Sequence, residues 1–362
     1  MNFDLSEEQQ MFRDSVERFS APIDVEARRK LRMGDAGYDR ARWQQLAELG
    51  LIALAAPEDA GGMDGSAVDL ALVAEAIGKA NSPDPWLELG VIPALLLTHG
   101  KHSETLEQVL AGETIATLAW AERARRYSLD AKAMRAEADS DGFNLSGEKT
   151  FVMGAGLADI FIVTAEHEGL TACFAVPRDA DGLAIRNYRL ADGSIAGEIA
   201  LTRVALPSEA RLDINPACLD EIVASARLYA AAEMLGLGQR LLDDTLAYVK
   251  EREQFGVAIG SFQALQHRLV DCYARIEQCR SMLCRAALAD PTHHAEWMRA
   301  TAGAKAFIGE NVDHVAREAV QMHGGMGITD ELGIGHAMKR VMVLAKLFGD
   351  ADSTLAEYAQ AA

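Results

Sequence analysis

Hydrophobic positions fall into helical periodicity, then strand periodicity, then helical again. In the first stretch Met11, Phe12, Val16 and Phe19 recur at helical spacing behind Ser6 and Gln9, which are spaced as a capping box. Helical runs are predicted from about Trp43 to Leu51 and from about Ser66 to Gly78, with the Pro- and Gly-bearing stop Ala55–Gly62 between them. More helix follows through Leu95–Leu97 and Thr105–Leu110. After Gly112 the period changes. Phe143–Val152 reads as two strand pieces around a Ser146-Gly147 turn, and Asp159–Thr164, Thr171–Val176, Leu183–Leu190 and Gly197–Val204 are short, partly alternating segments. Strands that frequent, without helices between them, predict an antiparallel barrel or sandwich. From about Pro216 helix returns: Ile222, Tyr229, Ala232, Leu235, Leu242, Leu246 and Val249 share one apolar face. Leu265, Leu269, Cys272, Ile276, Cys279 and Leu283 then step as a heptad seam, which suits an antiparallel bundle. A further helix is predicted from about Glu296 to Met322, stopped by Gly324-Gly325, and a last one after Glu331. The order gives an α+β multidomain chain: an all-α domain over 1–115, a central antiparallel β domain over 116–215 and a C-terminal helical bundle over 216–362.

Composition narrows the partners. Hydrophobic residues are 49% of the 362 and charged residues 25%, an ordinary globular balance. Thirty-five Lys and Arg stand against 54 Asp and Glu, a formal charge of -19, which repels phosphate backbones and argues against nucleic acid. No run reaches the roughly 18 apolar residues of a membrane span. The acidic start Met1–Glu8 is unlike a signal peptide, so a cytoplasmic location is expected. Five cysteines without a C-x-x-C pair argue against a disulfide framework and a zinc site, and Cys272 and Cys279 read as small buried apolar residues. No metal site is expected.

Four motifs in order carry a resemblance. Gly50-Leu51-Ile52 leads to Pro57-Glu58 and Gly61-Gly62, and Leu145-Ser146-Gly147-Glu148-Lys149 follows in the strand region. Arg252-Glu253-Gln254-Phe255-Gly256 is followed by Ile259-Gly260-Ser261-Phe262-Gln263-Ala264-Leu265-Gln266, and Gln321-Met322-His323-Gly324-Gly325-Met326-Gly327 comes last. Together they resemble the acyl-CoA dehydrogenase family over essentially the whole chain. The resemblance implies the family fold of N-terminal α domain, central β domain and C-terminal four-helix bundle. It implies FAD shared between two subunits, with the adenine and pyrophosphate half held by the neighbouring chain. It implies removal of an α proton from an acyl-CoA thioester by a carboxylate, hydride transfer from the β carbon to the flavin, and an electron-transfer flavoprotein as acceptor. Carried onto this sequence, the cofactor-binding residues are Arg252, Phe255, Gln263, Gln321, Gly324 and Gly325. Arg252 supplies a cationic fork for the pyrophosphate, Phe255 packs on the cofactor, the two glutamines meet its polar edges, and the glycines admit close backbone approach. Outside the motifs, Arg252 reads as a surface ion-pair residue, Phe255 as core and Gly324-Gly325 as a helix C-cap.

The departures fall in one half of the family's site. Phe348 stands where most members place the catalytic Glu, in Leu347-Phe348-Gly349-Asp350-Ala351-Asp352. A smaller set of members places it before an Arg matched here by Arg227, and the residue there is Ala226. No catalytic residue is therefore assigned. The flavin-facing hydroxyls become Ala121, in Leu118–Ser128, and Met153, while Asp350 and Asp352 replace residues that contact FAD from the same chain. This pattern is similar to the small subunits of α2β2 acyl-CoA dehydrogenases of the steroid side-chain and pimeloyl-CoA types. A homologous partner would then bring the catalytic Glu and the acyl-CoA site. One alternative is an active homomer using Asp350, Asp352 or Glu122 as base; another is an assembly subunit that binds no FAD. His293-His294 reads as a solvated loop, Glu233 as a weak candidate for a displaced base, and Arg123, Arg125 and Arg126 as either a phosphate contact or a solvated loop.

Overall fold

The computed structural model describes residues 5–20, 25–34 and 37–360. Helices α1 (Glu7–Phe19), α2 (Val25–Met33), α3 (Arg40–Glu48), α4 (Ala67–Ala80), α5 (Ile92–His99) and α6 (Ser103–Leu110) come first. Strands β1 (Ala116–Ala119), β2 (Arg135–Ala138), β3 (Gly142–Met153), β4 (Ile160–His167), β5 (Leu170–Pro177), β6 (Leu183–Arg189), β7 (Ile195–Pro207) and β8 (Arg211–Leu212) follow. The C-terminal part holds α7 (Pro216–Glu251), a hairpin of β9 (Glu253–Gln254) and β10 (Val257–Ala258), then α8 (Gln263–Ala287), α9 (His294–His323), α10 (Gly333–Leu344) and α11 (Ala351–Gln360).

Local chemistry sets the helix starts. The Ser6 hydroxyl accepts the Gln9 N–H and the Gln9 side chain accepts the Ser6 N–H, both at 3.1 Å, so the predicted capping box is made in full. Asn215 accepts the Cys218 N–H at 2.9 Å and Pro216 occupies the first helical position, which starts α7 sharply.

The chain divides into two compact units. The helical unit comprises Met1–Arg29, Ala67–Pro83 and Arg227–Ala362. On α8 the predicted seam faces inward: Leu269, Cys272, Ile276, Cys279 and Leu283 are buried and Leu265 half-buried. The helices α4 and α7 cross in backbone contact. A Cβ on Gly78 would stand 2.0 Å from the Glu233 carbonyl oxygen, and one on Gly236 would stand 2.0 Å from the Glu75 carbonyl oxygen. Only hydrogen fits at either position.

The β-rich unit comprises Lys30–Ser66 and Asp84–Ala226. Its sheet runs in the order β6-β7-β3-β2-β4-β5-β8, with β1 also paired to β4. The pairing is antiparallel except that β1 and β2 run parallel to β4, a feature absent from the antiparallel expectation. Strand β3 is continuous and not two pieces around a turn. Its pairing with β7 shifts register between Leu145 and Gly147, so the Ser-Gly pair is a bulge. The Ser146 hydroxyl accepts the Arg203 N–H at 3.0 Å, and Gly147, at φ +142°, passes close beside the Ala133 carbonyl. The core beneath the sheet gathers Leu145, Val152, Phe161, Phe174, Ile199 and Val204.

The α4–α7 crossing yields a stability prediction. Gly78→Ala or Gly236→Ala should destabilise the fold by about 1–3 kcal/mol or more through overpacking, seen as a lower urea midpoint. Gly333→Ala, where a Cβ meets nothing within 4 Å, should stay within about 0.5 kcal/mol. Equal midpoints for all three variants would show that the helices can separate freely.

Candidate cofactor site

The six residues predicted for FAD all lie in the helical unit, and all are exposed. Arg252 follows the last turn of α7, and its N–H still donates to the Tyr248 carbonyl at 2.9 Å. Phe255 and Gly256 form the two-residue turn between β9 and β10, with φ of 55° and 79°. Two positive φ values match a type I′ hairpin, whose twist suits so short a ribbon. The turn holds Phe255 out at 92% exposure, in edge contact with Phe262 at 6.2 Å between ring centroids. Phe255 is therefore not core. The Ile259 N–H donates to the Arg252 carbonyl at 2.8 Å, which closes the hairpin base and leads into Gln263 at the start of α8.

Gln321 lies in the last turn of α9, and Gly324, at φ 60°, caps that helix. A Cβ on Gly324 or Gly325 would meet nothing within 4 Å. These glycines form an open ledge as well as a C-cap. Sequence reading missed the group that unites the two motifs: the Tyr248 ring stacks on His323, with centroids 4.2 Å apart and planes at 24°. The stack sets the end of α7 beside the end of α9. His323 Nδ1 lies 2.8 Å from the Ala319 carbonyl, so Nδ1 carries the proton and donates. Among the described residues, the side chains of Arg252, Gln263 and Gln321 make no hydrogen bond or ion pair. Ile328, at 74% exposure, and Val270 and Tyr273 on α8 are also exposed in this unit.

The positions discussed for a base are arranged differently. Phe348 is buried at φ 57° and Gly349 follows at φ 130°, and neither side chain carries an ionisable group. Arg227 Nε donates to the Phe348 carbonyl at 2.8 Å while its other nitrogens bind Glu357. The buried Lys305 ammonium donates to the Gly349 carbonyl at 2.9 Å and to the Ala345 carbonyl at 3.2 Å. Ala226 is buried in α7. Asp350 caps α11, accepting the Ser353 N–H at 3.0 Å. Burial pushes its carboxyl up, but Ser353 and Lys346 draw it below the ordinary value. Asp352 is exposed in the first turn of α11. Glu233 is buried in a two-point ion pair with Arg340 at 2.7 and 3.1 Å. His293 and His294 are exposed where α9 begins.

In the β-rich unit, Glu122 is committed elsewhere. Its carboxylate accepts the Lys149 ammonium at 2.8 Å, the Lys132 N–H at 3.1 Å, the Ala133 N–H at 2.9 Å and the Met134 N–H at 3.1 Å. Burial raises this carboxyl, but Lys149 and the Ala133 and Met134 N–H groups outweigh it and hold it at about 2. The Glu122 carboxylate is thus committed to Lys149 and to three backbone N–H groups. Ala121 and Met153 are both buried and offer no hydroxyl.

Lys305 generates a pH prediction. Burial and the neighbouring Arg227 lower its pKa from 10.5 to about 7, with Asp350 opposing. Between those values the unfolded chain binds the proton that the folded chain lacks, so stability rises with pH across that window, by up to about 1.4 kcal/mol per unit. Urea melts at neutral and mildly alkaline pH should show this rise, and Lys305→Met should flatten it. An unchanged slope in the variant would assign the rise to other groups.

The comparisons with known proteins agree with these motifs. Models of the acyl-CoA dehydrogenase N-terminal, middle and C-terminal domains match residues 6–113, 117–204 and 219–362. Acyl-CoA dehydrogenase IpdE2 of Mycolicibacterium smegmatis (strain ATCC 700084 / mc(2)155) is 32% identical over 353 residues, covering 95% of this chain and 96% of that protein. A chain of the ChsE4-ChsE5 complex from Mycobacterium tuberculosis superposes with a TM-score of 0.90 at 26% identity, covering 99% of this chain and 98% of that one. A chain of a Tcur3481-Tcur3483 steroid ACAD variant gives 0.87 at 28% identity, covering 98% and 97%. Matched along all three of its parts, the chain belongs to the acyl-CoA dehydrogenase family, whose members are FAD-dependent oxidoreductases.

Proposed function

We propose that this chain is the non-catalytic subunit of a heteromeric acyl-CoA dehydrogenase that desaturates an acyl-CoA thioester between its α and β carbons. Its partner is a homologous chain that supplies the base, the isoalloxazine pocket and the acyl-CoA site. The observation that carries the reading is the chemistry at the two base positions: Ala226 and Phe348 are both buried and neither ionises. Asp350 is consumed as a helix cap and Glu122 by Lys149 and backbone N–H groups. A general base must be free to reach the proton it removes, and the structural contacts that hold these two carboxylates support the reading.

The residues fit one half of FAD. Arg252 offers an unpaired cationic fork to a pyrophosphate, Gly324 and Gly325 leave room for backbone approach, Phe255 presents an exposed ring, and Gln263 and Gln321 offer free amides. The other half finds no hydroxyl at Ala121 or Met153. Bound flavin accepts the hydride that leaves the acyl chain and hands electrons to an electron-transfer flavoprotein. This chain's share is to bind and orient the adenine and pyrophosphate end in trans. The exposed apolar side chains Phe255, Val270, Tyr273 and Ile328 then belong to the partner interface, since monomers rarely leave large apolar patches bare. The named ChsE4-ChsE5 complex and the steroid ACAD support a two-gene assembly and a bulky lipid or steroid-type acyl group. The cytoplasm is the compartment consistent with five free cysteines, and no helix among the described residues is long and apolar enough to cross a membrane.

Expressed alone, the chain should be colourless and inactive. Expressed with a homologue that retains its Glu, it should form a yellow α2β2 complex with one FAD per chain pair. Arg252→Ala in that complex should loosen FAD roughly 10- to 150-fold while leaving the assembly intact, as expected for losing a charge-assisted hydrogen bond. Phe348→Glu in the lone chain should give no turnover, because Ala121 and Met153 remain without hydroxyls. A yellow homomer that oxidises an acyl-CoA would overturn the reading and direct attention to Asp352.

A further inference from the structure

Neither ring of the Tyr248–His323 stack belongs to a residue assigned to the cofactor, yet each adjoins one that does. We propose that Tyr248 and His323 are positioning residues for FAD, which hold the Arg252 hairpin in register with the Gly324-Gly325 ledge. The inference rests on the FAD reading above and adds to it two residues that act through their neighbours.

Each ring is tied to one side of the site. Tyr248 stands one helical turn before Arg252, about 6 Å of axial rise away, and its carbonyl accepts the Arg252 N–H at 2.9 Å. The hairpin folds back on that same turn. The Ile259 N–H donates to the Arg252 carbonyl at 2.8 Å, and a Cβ on Gly260 would stand 2.9 Å from the Val249 carbonyl oxygen. On the other side, His323 directly precedes Gly324, and the turn after α9 folds back onto it. A Cβ on Gly327 would stand 3.1 Å from the His323 Cβ and 2.7 Å from the Val320 carbonyl oxygen. The His323 ring is buried and oriented by its own bond, Nδ1 donating to the Ala319 carbonyl at 2.8 Å. It therefore offers a fixed face, and the Tyr248 ring lies on that face.

Register matters because the two sides are carried by different helix ends. A guanidinium fork meets phosphate oxygens bidentately only at a set distance and angle, whereas a point charge would tolerate displacement. Stacked rings have a preferred spacing and offset, so they fix an angle as well as a distance between the elements that carry them. Aliphatic side chains at the same two positions would keep the helices in contact and leave their relative rotation looser.

FAD titrations of the co-expressed complex, stripped of flavin and followed by flavin fluorescence, test the role. Tyr248→Leu and His323→Leu should each weaken FAD about 3- to 10-fold, the range of one aromatic contact, with the assembly intact. Tyr248→Phe and His323→Phe, which keep a planar ring pair, should bind within about twofold of the native complex. Where a leucine variant does not assemble, His323→Gln serves in its place, since it removes the ring and keeps a donor for the Ala319 carbonyl. In an Arg252→Ala background, His323→Leu should cost only about twofold more, because the residue it positions is already gone. A purely structural role would lower the melting midpoint without that pattern. Losses that multiply in full, phenylalanine variants as weak as the leucine ones, or unchanged affinity in both leucine variants would overturn the proposal. If Arg252→Ala weakens FAD while the stack variants do not, the positioning role alone falls. If Arg252→Ala leaves FAD affinity unchanged, the FAD reading falls and takes the positioning role with it.

Discussion

Glu122 and Lys149 can be buried only together, and the β-rich unit is arranged around that necessity. Either charge alone in an apolar interior costs several kcal/mol, about 3–5 when one partner is removed from an existing pair. Lys149 reaches Glu122 at 2.8 Å and the Trp120 carbonyl at 3.1 Å, so one ammonium joins β3 to the segment after β1. The Glu122 carboxylate in turn gathers three consecutive N–H groups from Lys132 to Met134, just before β2. One ion pair thus holds the long connection between β1 and β2 against β3. The bulge at Gly147 depends on the same arrangement, because Gly147 runs close to the Ala133 carbonyl and the Met134 backbone.

The helical unit meets an analogous demand with cations and carbonyls. The turn after α10 carries Phe348 at φ 57°, a conformation that a bulky side chain adopts only under constraint. Arg227 binds the Phe348 carbonyl and Lys305 binds those of Ala345 and Gly349, so two buried cations from α7 and α9 hold the turn. Arg227 is neutralised by Glu357, whereas Lys305 hydrogen-bonds only carbonyls, and burial, with Arg227 nearby, lowers its pKa to about 7. Backbone strain and a depressed lysine therefore share one small region.

Much of this was legible in the residues, for identifiable reasons. The capping box at Ser6 and Gln9, the seam on α8 and the helix stop at Gly324 depend on neighbours within a few positions, so periodicity reports them. The parallel pairing of β1 with β4 depends on a strand some 40 residues away and leaves no local trace. Ser146-Gly147 has turn chemistry, yet β7 alongside keeps the strand extended and turns the pair into a bulge. At the proposed site, Arg252, Gln321 and Gly324 were singled out by motif, but the stack of Tyr248 on His323 was not visible in the sequence. An i, i+4 tyrosine before an arginine looks like any helical residue until the second helix is in place. Glu122 was open as a base for the same reason: its charge was visible, and the four donors that occupy it were not.

On the proposed reading, the distribution of exposed and buried groups has a physical logic. A catalytic carboxylate must be kept partly desolvated and unpaired, which works against stability, so a chain relieved of catalysis gains by filling the position with an apolar group. Burying a phenyl ring such as that of Phe348 contributes about 1.5–3 kcal/mol and asks for no partner. Arg252 and the Gly324-Gly325 ledge follow the opposite rule. They are costless on the surface of the lone chain, and their energy is realised only when a second chain brings a cofactor to them. Loss at one half and retention at the other then arise from the same pressure: what is buried is optimised for this chain's own stability, and what is exposed is kept for a partner.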